Sequence, residues 1–251
     1  MRALILILTF LRIGTATAVP EAYEEKVPGT SLRIEMAPVA GDGEGIESFW
    51  IGRTEIPWEV FDAFVFKLDR PHNERQTVTE TRPTKPYTLA DRGYGHNGYP
   101  ALSMSLKGAK SFCEWLSEKT GRTYRIPTEP EWEHICTQAG LTDANAELGK
   151  LAWFKDNAKS KTRPVGKRQA DALGLFDVLG NVAEWCTTED GAGVVRGGSF
   201  RDAQVGIDSR LEDTPDWNAT DPQLPKSPWW LADADFVGFR ILCEGPAPTG
   251  H

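Results

Sequence analysis

Polar and apolar residues alternate between Ser31 and Pro38, with Leu32, Ile34 and Met36 on one side, which predicts a half-buried β-strand. Gly41-Asp-Gly-Glu-Gly45 turns the chain, and Ser48 to Arg53 reads as the partner strand. Pro57 suits the first turn of a helix, on which Val60, Phe61, Phe64, Val65 and Leu68 share one face. Residues 69–100 contain repeated prolines and few long apolar runs, which predicts a long loop region. Helical spacing returns with Ala109, Phe112, Cys113 and Leu116, and Gly121 supplies the stop. Thr128-Glu-Pro-Glu131 is a capping-box pattern opening a second helix, with Trp132, Ile135 and Cys136 inward. Beyond Gly140 no long helix is predicted. There Trp153, Phe154, Val165, Leu175, Phe176 and Trp185 are spaced through polar, glycine-rich chain. Carbonyls of such irregular backbone need partners other than a helix ladder, and a bound cation is one candidate.

Composition sharpens this picture. The chain has 251 residues, 40% hydrophobic and 25% charged, as an ordinary soluble core requires. Nine tryptophans, 24 glycines and 17 prolines favour a loop-rich fold pinned by aromatic packing over a helical bundle or a doubly wound sheet. The net charge is −8, and no Lys/Arg-rich run is long enough to track a phosphate backbone, which argues against a nucleic-acid partner.

The N-terminus reads as an export signal. Arg2 precedes an apolar run from Ala3 to Leu11, and Ala16-Thr17-Ala18 offers small residues for cleavage after Ala18. The run is about half the ~20 residues that span a bilayer, so no stable membrane span is expected. The domain reading is a signal peptide over 1–18, a disordered segment over 19–30, one domain over 31–244 and a tail over 245–251. The expected location is periplasmic or extracellular. Four cysteines (Cys113, Cys136, Cys186 and Cys243) in such a compartment allow three full pairings or four buried thiols, and none are spaced as CxxC.

Four motifs go beyond periodicity. They are Arg125-Ile-Pro-Thr-Glu-Pro-Glu-Trp-Glu133, Gly174-Leu-Phe-Asp-Val-Leu-Gly-Asn-Val-Ala-Glu-Trp185, Val195-Arg-Gly-Gly-Ser-Phe200 and Phe236-Val-Gly-Phe-Arg240. Together they resemble the formylglycine-generating enzyme, or sulfatase-modifying factor, family over roughly residues 31–243. The resemblance implies a C-type-lectin-like α+β domain with small antiparallel sheets and two or three helices. It also implies an oxidase that converts a sulfatase cysteine using copper held by two cysteines of its own. Aligned on Gly197-Gly198-Ser199, the copper-cysteine positions hold Asp202 and Ile207. Copper(I) selects soft thiolates, which a carboxylate and an aliphatic chain cannot replace, so copper is not expected.

The resemblance further places a structural calcium on Asp177, Gly180, Val182 and Glu184. Two carboxylates and two backbone carbonyls are the hard oxygen donors that calcium takes. The family's second calcium site draws on the segment before Pro164, which is basic here (Lys155 to Arg163), and is not carried over. A Cys113–Cys243 disulfide is the pairing the resemblance implies. Arg240 is expected to tie a strand to neighbouring loops. Ser199, Arg201 and Asp202 are the candidate groove residues, within a charged stretch running from Arg196 to Asp213 that otherwise forms a salt-bridge network. Trp217, Trp229 and Trp230 are either aromatic walls of that groove or core pins. Two functions follow. One is an accessory module that binds a peptide or glycan, with a sulfatase or another exported protein as partner. The other is an enzyme that keeps the groove but uses non-copper chemistry.

Overall fold

The computed structural model describes residues 21–75, 81–86, 90–141 and 148–245. The predicted signal peptide and nearly all of the tail lie outside these residues. The alternation after Ser31 becomes strand β2 (Arg33–Val39), with Ile34 and Met36 buried, and β3 (Phe49–Gly52) returns antiparallel to it. The preceding polar segment was expected to be disordered. Instead its residues Tyr23–Lys26 form β1, paired antiparallel with β2 from Tyr23↔Met36 to Lys26↔Arg33. The reason is tertiary: the Tyr23 hydroxyl meets the Tyr124 hydroxyl at 2.9 Å, and Tyr124 donates to Glu25 at 2.6 Å. A five-stranded sheet results, ordered β1-β2-β3-β9-β4, in which β9 (Leu242–Glu244) lies between β3 and β4 (Thr123–Arg125).

Helix α1 (Trp58–Val65) starts after Pro57, and α2 (Leu106–Thr120) is capped by the Ser105 hydroxyl and ended by Gly121 in the left-handed conformation (φ 73°). Helix α3 (Glu129–Gln138) carries the full capping box: Thr128 accepts from the Glu131 backbone, and the Glu131 side chain accepts from the Thr128 backbone. Beyond Gly140 only one-turn helices occur among the described residues, α4 (Leu148–Leu151), α5 (Lys155–Ala158) and a 3-10 turn at Pro215–Asn218. The second sheet has the order β7-β6-β5-β8, from β5 (Ala183–Thr187), β6 (Gly193–Arg196), β7 (Arg210–Glu212) and β8 (Val237–Gly238). The molecule is therefore an α+β domain of two small, mainly antiparallel sheets. Its β5–β8 pairing is parallel.

Two hydrophobic cores support it. The larger stacks Phe61, Phe64, Phe112, Trp115 and Phe239, with ring centroids 5.4–5.9 Å apart. Trp229 and Trp230 are buried in it, and Trp217 packs on Trp185 and Phe236, so these tryptophans serve as core pins. The smaller core joins α3 to Val178, Leu179, Val194 and Leu242. Among the described residues no helix is long and apolar enough to cross a membrane.

Candidate functional site

The segment between Phe176 and Glu184 runs between the sheets as a tight loop. Asp177 and Asn181 both take positive φ (54° and 53°), a conformation that Asp and Asn tolerate better than other residues with a Cβ. Between them Gly180 (φ 79°) passes so close to residue 153 that a Cβ would sit 2.3 Å from the Trp153 carbonyl oxygen. Glycine is required there. Asn181 is fully buried; its Oδ1 accepts from the Arg163 backbone at 2.9 Å and its Nδ2 donates to the Arg163 carbonyl at 3.2 Å. Asn181 thus fixes the loop through side-chain to backbone bonds.

Below the loop lies a buried acid cluster. Glu184 accepts from Arg240 Nη2 at 2.7 Å and from Nε at 3.0 Å. Arg240 also donates to the carbonyls of Gly52 (2.7 Å) and Phe176 (2.8 Å), tying β3, the loop and β5 together as its motif suggested. Asp177 accepts from the Gly166 backbone through Oδ2, while its Oδ1 is buried with no partner. Burial pushes its carboxyl up to about 6, and the charge of Glu184 adds to the rise. Glu55 was not anticipated from the sequence. It is fully buried, neither carboxylate oxygen has a hydrogen-bond partner, and the Asn181 amide nearby is engaged by Arg163. Burial first, and then the charges of Asp177 and Glu184, raise its carboxyl well above the usual carboxylate range. Three acids thus face one guanidinium. With Glu184 turned onto Arg240, no three His, Cys, Asp or Glu side chains among the described residues converge as a metal cluster. The orphaned oxygens of Glu55 and Asp177 are nevertheless hard donors of the kind calcium takes.

The candidate groove adjoins the loop, with the Gly180 N–H donating to the Gly197 carbonyl at 3.1 Å and the Phe200 N–H to the Asn181 carbonyl at 3.0 Å. Ser199 is buried, and Asp202 Oδ2 accepts from both its backbone N–H (2.7 Å) and its hydroxyl (2.9 Å). Arg201 turns away to pair with Asp235 at 2.5 Å, where the Tyr94 hydroxyl also donates at 2.7 Å. Ser199 and Asp202 are therefore brought together, whereas Arg201 belongs to a neighbouring triad. Beside them a pocket of about 280 Å³ is lined by Gly198, Asp202, Gln204, Asp208, Ser209 and Arg210. Ile207 packs against the smaller core, and its carbonyl accepts from Arg196. Arg196 is buried over the Trp132 ring between Glu129 (2.8 Å) and Glu133 (3.0 Å). Arg210 reaches the same Glu129 at 2.7 Å. The charged stretch thus carries the expected salt-bridge network on one flank.

All four cysteines are free, buried thiols. The Cys113–Cys243 bridge implied by the resemblance is not formed in this structure: both cysteines lie in the larger core, Cys113 on α2 and Cys243 on β9, but as free thiols, and that of Cys243 is directed at the Glu244 carbonyl. Of the histidines, His96 is placed most deliberately. Its ring stacks on Trp58 (5.3 Å, 13°), with Nε2 2.8 Å from Asp62 and Nδ1 3.1 Å from Asp91.

The two sheets, the buried Glu184–Arg240 pair and the Gly-Gly-Ser corner can be compared with known proteins. The family described as sulfatase-modifying factor enzyme 1-like domain matches residues 24–244. The chain belongs to that family. A formylglycine-generating enzyme of Mycobacterium tuberculosis is 32% identical over 117 residues, 40% of this chain and 36% of that protein. A bovine protein named inactive C-alpha-formylglycine-generating enzyme 2 is 27% identical over 181 residues, 61% of this chain and 53% of that protein. The chain thus spans about a third to a half of these relatives. Treponema denticola variable protein 1 has the same fold, with a TM-score of 0.63, 20% identity, and coverage of 90% of this chain and 100% of that one. PvdO from Pseudomonas aeruginosa superposes with a TM-score of 0.56 at 20% identity, covering 92% and 100%. No cysteine-based metal site occurs among the described residues of this chain.

Proposed function

We propose that the protein is an exported accessory member of the sulfatase-modifying factor family that binds a peptide or glycan without copper oxidation. On this reading the elaborated C-type-lectin-like domain offers the Ser199–Asp202 groove to a sulfatase or another exported protein. The supporting observation is the state of that corner. Asp202 stands where the resemblance puts a copper cysteine, and its carboxylate is engaged by both the backbone and the hydroxyl of Ser199. The four thiols are meanwhile spent inside the two cores. A copper(I) site needs soft thiolates that this corner does not supply. Asp177, Glu184 and the carbonyls of Gly180 and Val182, joined by Glu55, would hold a structural calcium. Bound there, the ion would balance the excess negative charge that Arg240 leaves and fix the loop beneath the groove.

The test uses the full chain loaded with copper(I), a Cys-x-Pro-x-Arg peptide and an oxygen electrode. No oxygen consumption is expected, together with saturable binding of the peptide or of a glycan that Asp202→Ala weakens several-fold. Turnover of the peptide would overturn the reading.

A further inference from the structure

The protein is acidic overall, yet residues 155–168 reverse the sign: Lys155, Lys159, Lys161, Arg163, Lys167 and Arg168 stand against Asp156 alone. The two arginines share one aromatic ring. The guanidinium carbon of Arg168 lies 3.5 Å from the Trp153 ring centroid, and that of Arg163 lies 5.6 Å from it. Neither makes an ion pair among the described residues, and the Nε of each is buried without an acceptor. Asp177 is the acid whose charge Arg168 feels, but it opposes the repulsion from Arg163 without a hydrogen bond to either. Two like charges are thus held together, partly desolvated, and neither guanidinium is hydrogen-bonded to a carboxylate. Such an arrangement costs free energy unless an anion completes it.

The scaffold holds the pair in place. Asn181 grips the Arg163 backbone through both its amide atoms, and Asp177 holds the Gly166 N–H at 2.8 Å. The Trp153 carbonyl accepts from Asn181 N at 2.7 Å. The guanidiniums are therefore preorganised before any ligand arrives. Lys155, Lys159 and Lys167 are exposed on the same segment, and the Lys155 N–H donates to the Asp202 carbonyl at 3.0 Å, so the basic ledge borders the groove.

We propose that Arg163 and Arg168, stacked on Trp153 and supported by the lysines of residues 155–167, form a binding site for a divalent oxyanion, a sulfate or phosphate group either free or carried as an ester. The choice of a dianion follows from charge: two guanidiniums flanked by lysines outweigh the single nearby carboxylate of Asp177, and a tetrahedral dianion offers oxygens to more than one of these cations at once. The site stands apart from the groove reading, since Asp202→Ala tests one and Arg163/Arg168 substitutions test the other.

The experiment follows the Arg Nε–H signals of the full chain by NMR. Sodium sulfate, phosphate, acetate and glucosamine 6-sulfate are titrated at matched ionic strength. Saturable shifts of Arg163 and Arg168 are expected with sulfate and phosphate, and at least tenfold weaker binding with acetate. Glucosamine 6-sulfate binding at least as tightly as inorganic sulfate would assign the carried ester; binding of inorganic sulfate alone would assign the free ion. The R163Q/R168Q variant should lose sulfate binding in calorimetry. K159Q/K161Q, which leaves the stacked arginines in place, should weaken it several-fold and carries the test should the arginine variant fail to fold. Absence of saturation, acetate binding as tight as sulfate, or wild-type affinity in either variant would overturn the proposal.

Discussion

At the scale of single residues, the Glu184–Arg240 pair shows how a motif residue works through the chain around it. Both side chains are 1% exposed, so neither charge has water to fall back on. Arg240→Met leaves Glu184 buried and unpaired and removes the donors to Gly52 and Phe176. A loss of about 3–5 kcal/mol in urea unfolding is expected, with part of it recovered by adding Glu184→Gln. Glu55 makes the complementary case. Its orphaned carboxylate should contribute nothing to metal-free stability, so Glu55→Gln is expected to be neutral or stabilising without calcium. Calcium at millimolar concentration should raise the melting temperature of the wild type by several degrees, through its preference for the folded state. The same calcium should raise that of Glu55→Gln by much less. An equal rise in both would remove Glu55 from the site. No spacing rule pointed to Glu55, because its partners lie more than 120 positions along the chain and are joined to it only by the sheet. Asp177 and Glu184 were legible because a compact motif carries them.

Elements extend the same contrast. Helices α2 and α3 were legible because their ends are written locally, in Ser105 and Gly121 and in the Thr128–Glu131 box. Thr128→Ala should cost about 1 kcal/mol, as loss of an N-cap typically does, measured by chemical denaturation. Strand β1 was not legible, since Tyr23–Lys26 alternates only weakly and owes its place to tyrosines that meet across 101 positions. The 91–99 loop is likewise fixed at a distance, by His96 between Asp62 of α1 and Asp91. Burial alone would lower the His96 pKa, but its hydrogen bonds to Asp62 and Asp91 and their charges reverse this and raise it. Glu59, also facing this loop, accepts from the Gly98 backbone at 2.8 Å and adds to the negative surroundings. With the folded value above 6.5, the histidine's contribution to stability is full below pH 6.5 and fades as pH rises through the folded value. A pH series of melting temperatures should show that decline in the wild type and a flatter profile in His96→Gln. A steeper decline in the variant would contradict the clamp.

On the scale of the whole molecule, the frame and the candidate sites are written in different places. The frame is carried by Gly180, Arg240 and the capping box, and these keep the fold that Treponema denticola variable protein 1 shares at 20% identity. The Asp202 corner and the basic ledge of 155–168 lie instead on short segments outside the helices and strands of the two sheets, apart from the single turn of α5. The fold was readable from motifs, and the basic character of the ledge from its residues, but the pairing of its two arginines was not. Its six cations are spread among polar residues, and only Trp153 gathers two of them into one place.

The position of β9 has a consequence for how the chain is made. Its three residues fill the gap between β3 and β4, pairing with Trp50 and Ile51 on one side and with Thr123 to Arg125 on the other. A nascent chain emerging from the ribosome has both flanking strands long before it has the strand that joins them. Until residues 242–244 appear, two unpaired edges stand open, the condition under which β-structure recruits other chains. A chain stopped at residue 240 should therefore be recovered largely as aggregate, whereas one stopped at residue 245 should be recovered as soluble monomer on size exclusion. The first sheet is closed only when residues 242–244 join strands made far earlier in the chain, which makes its completion a late event in folding.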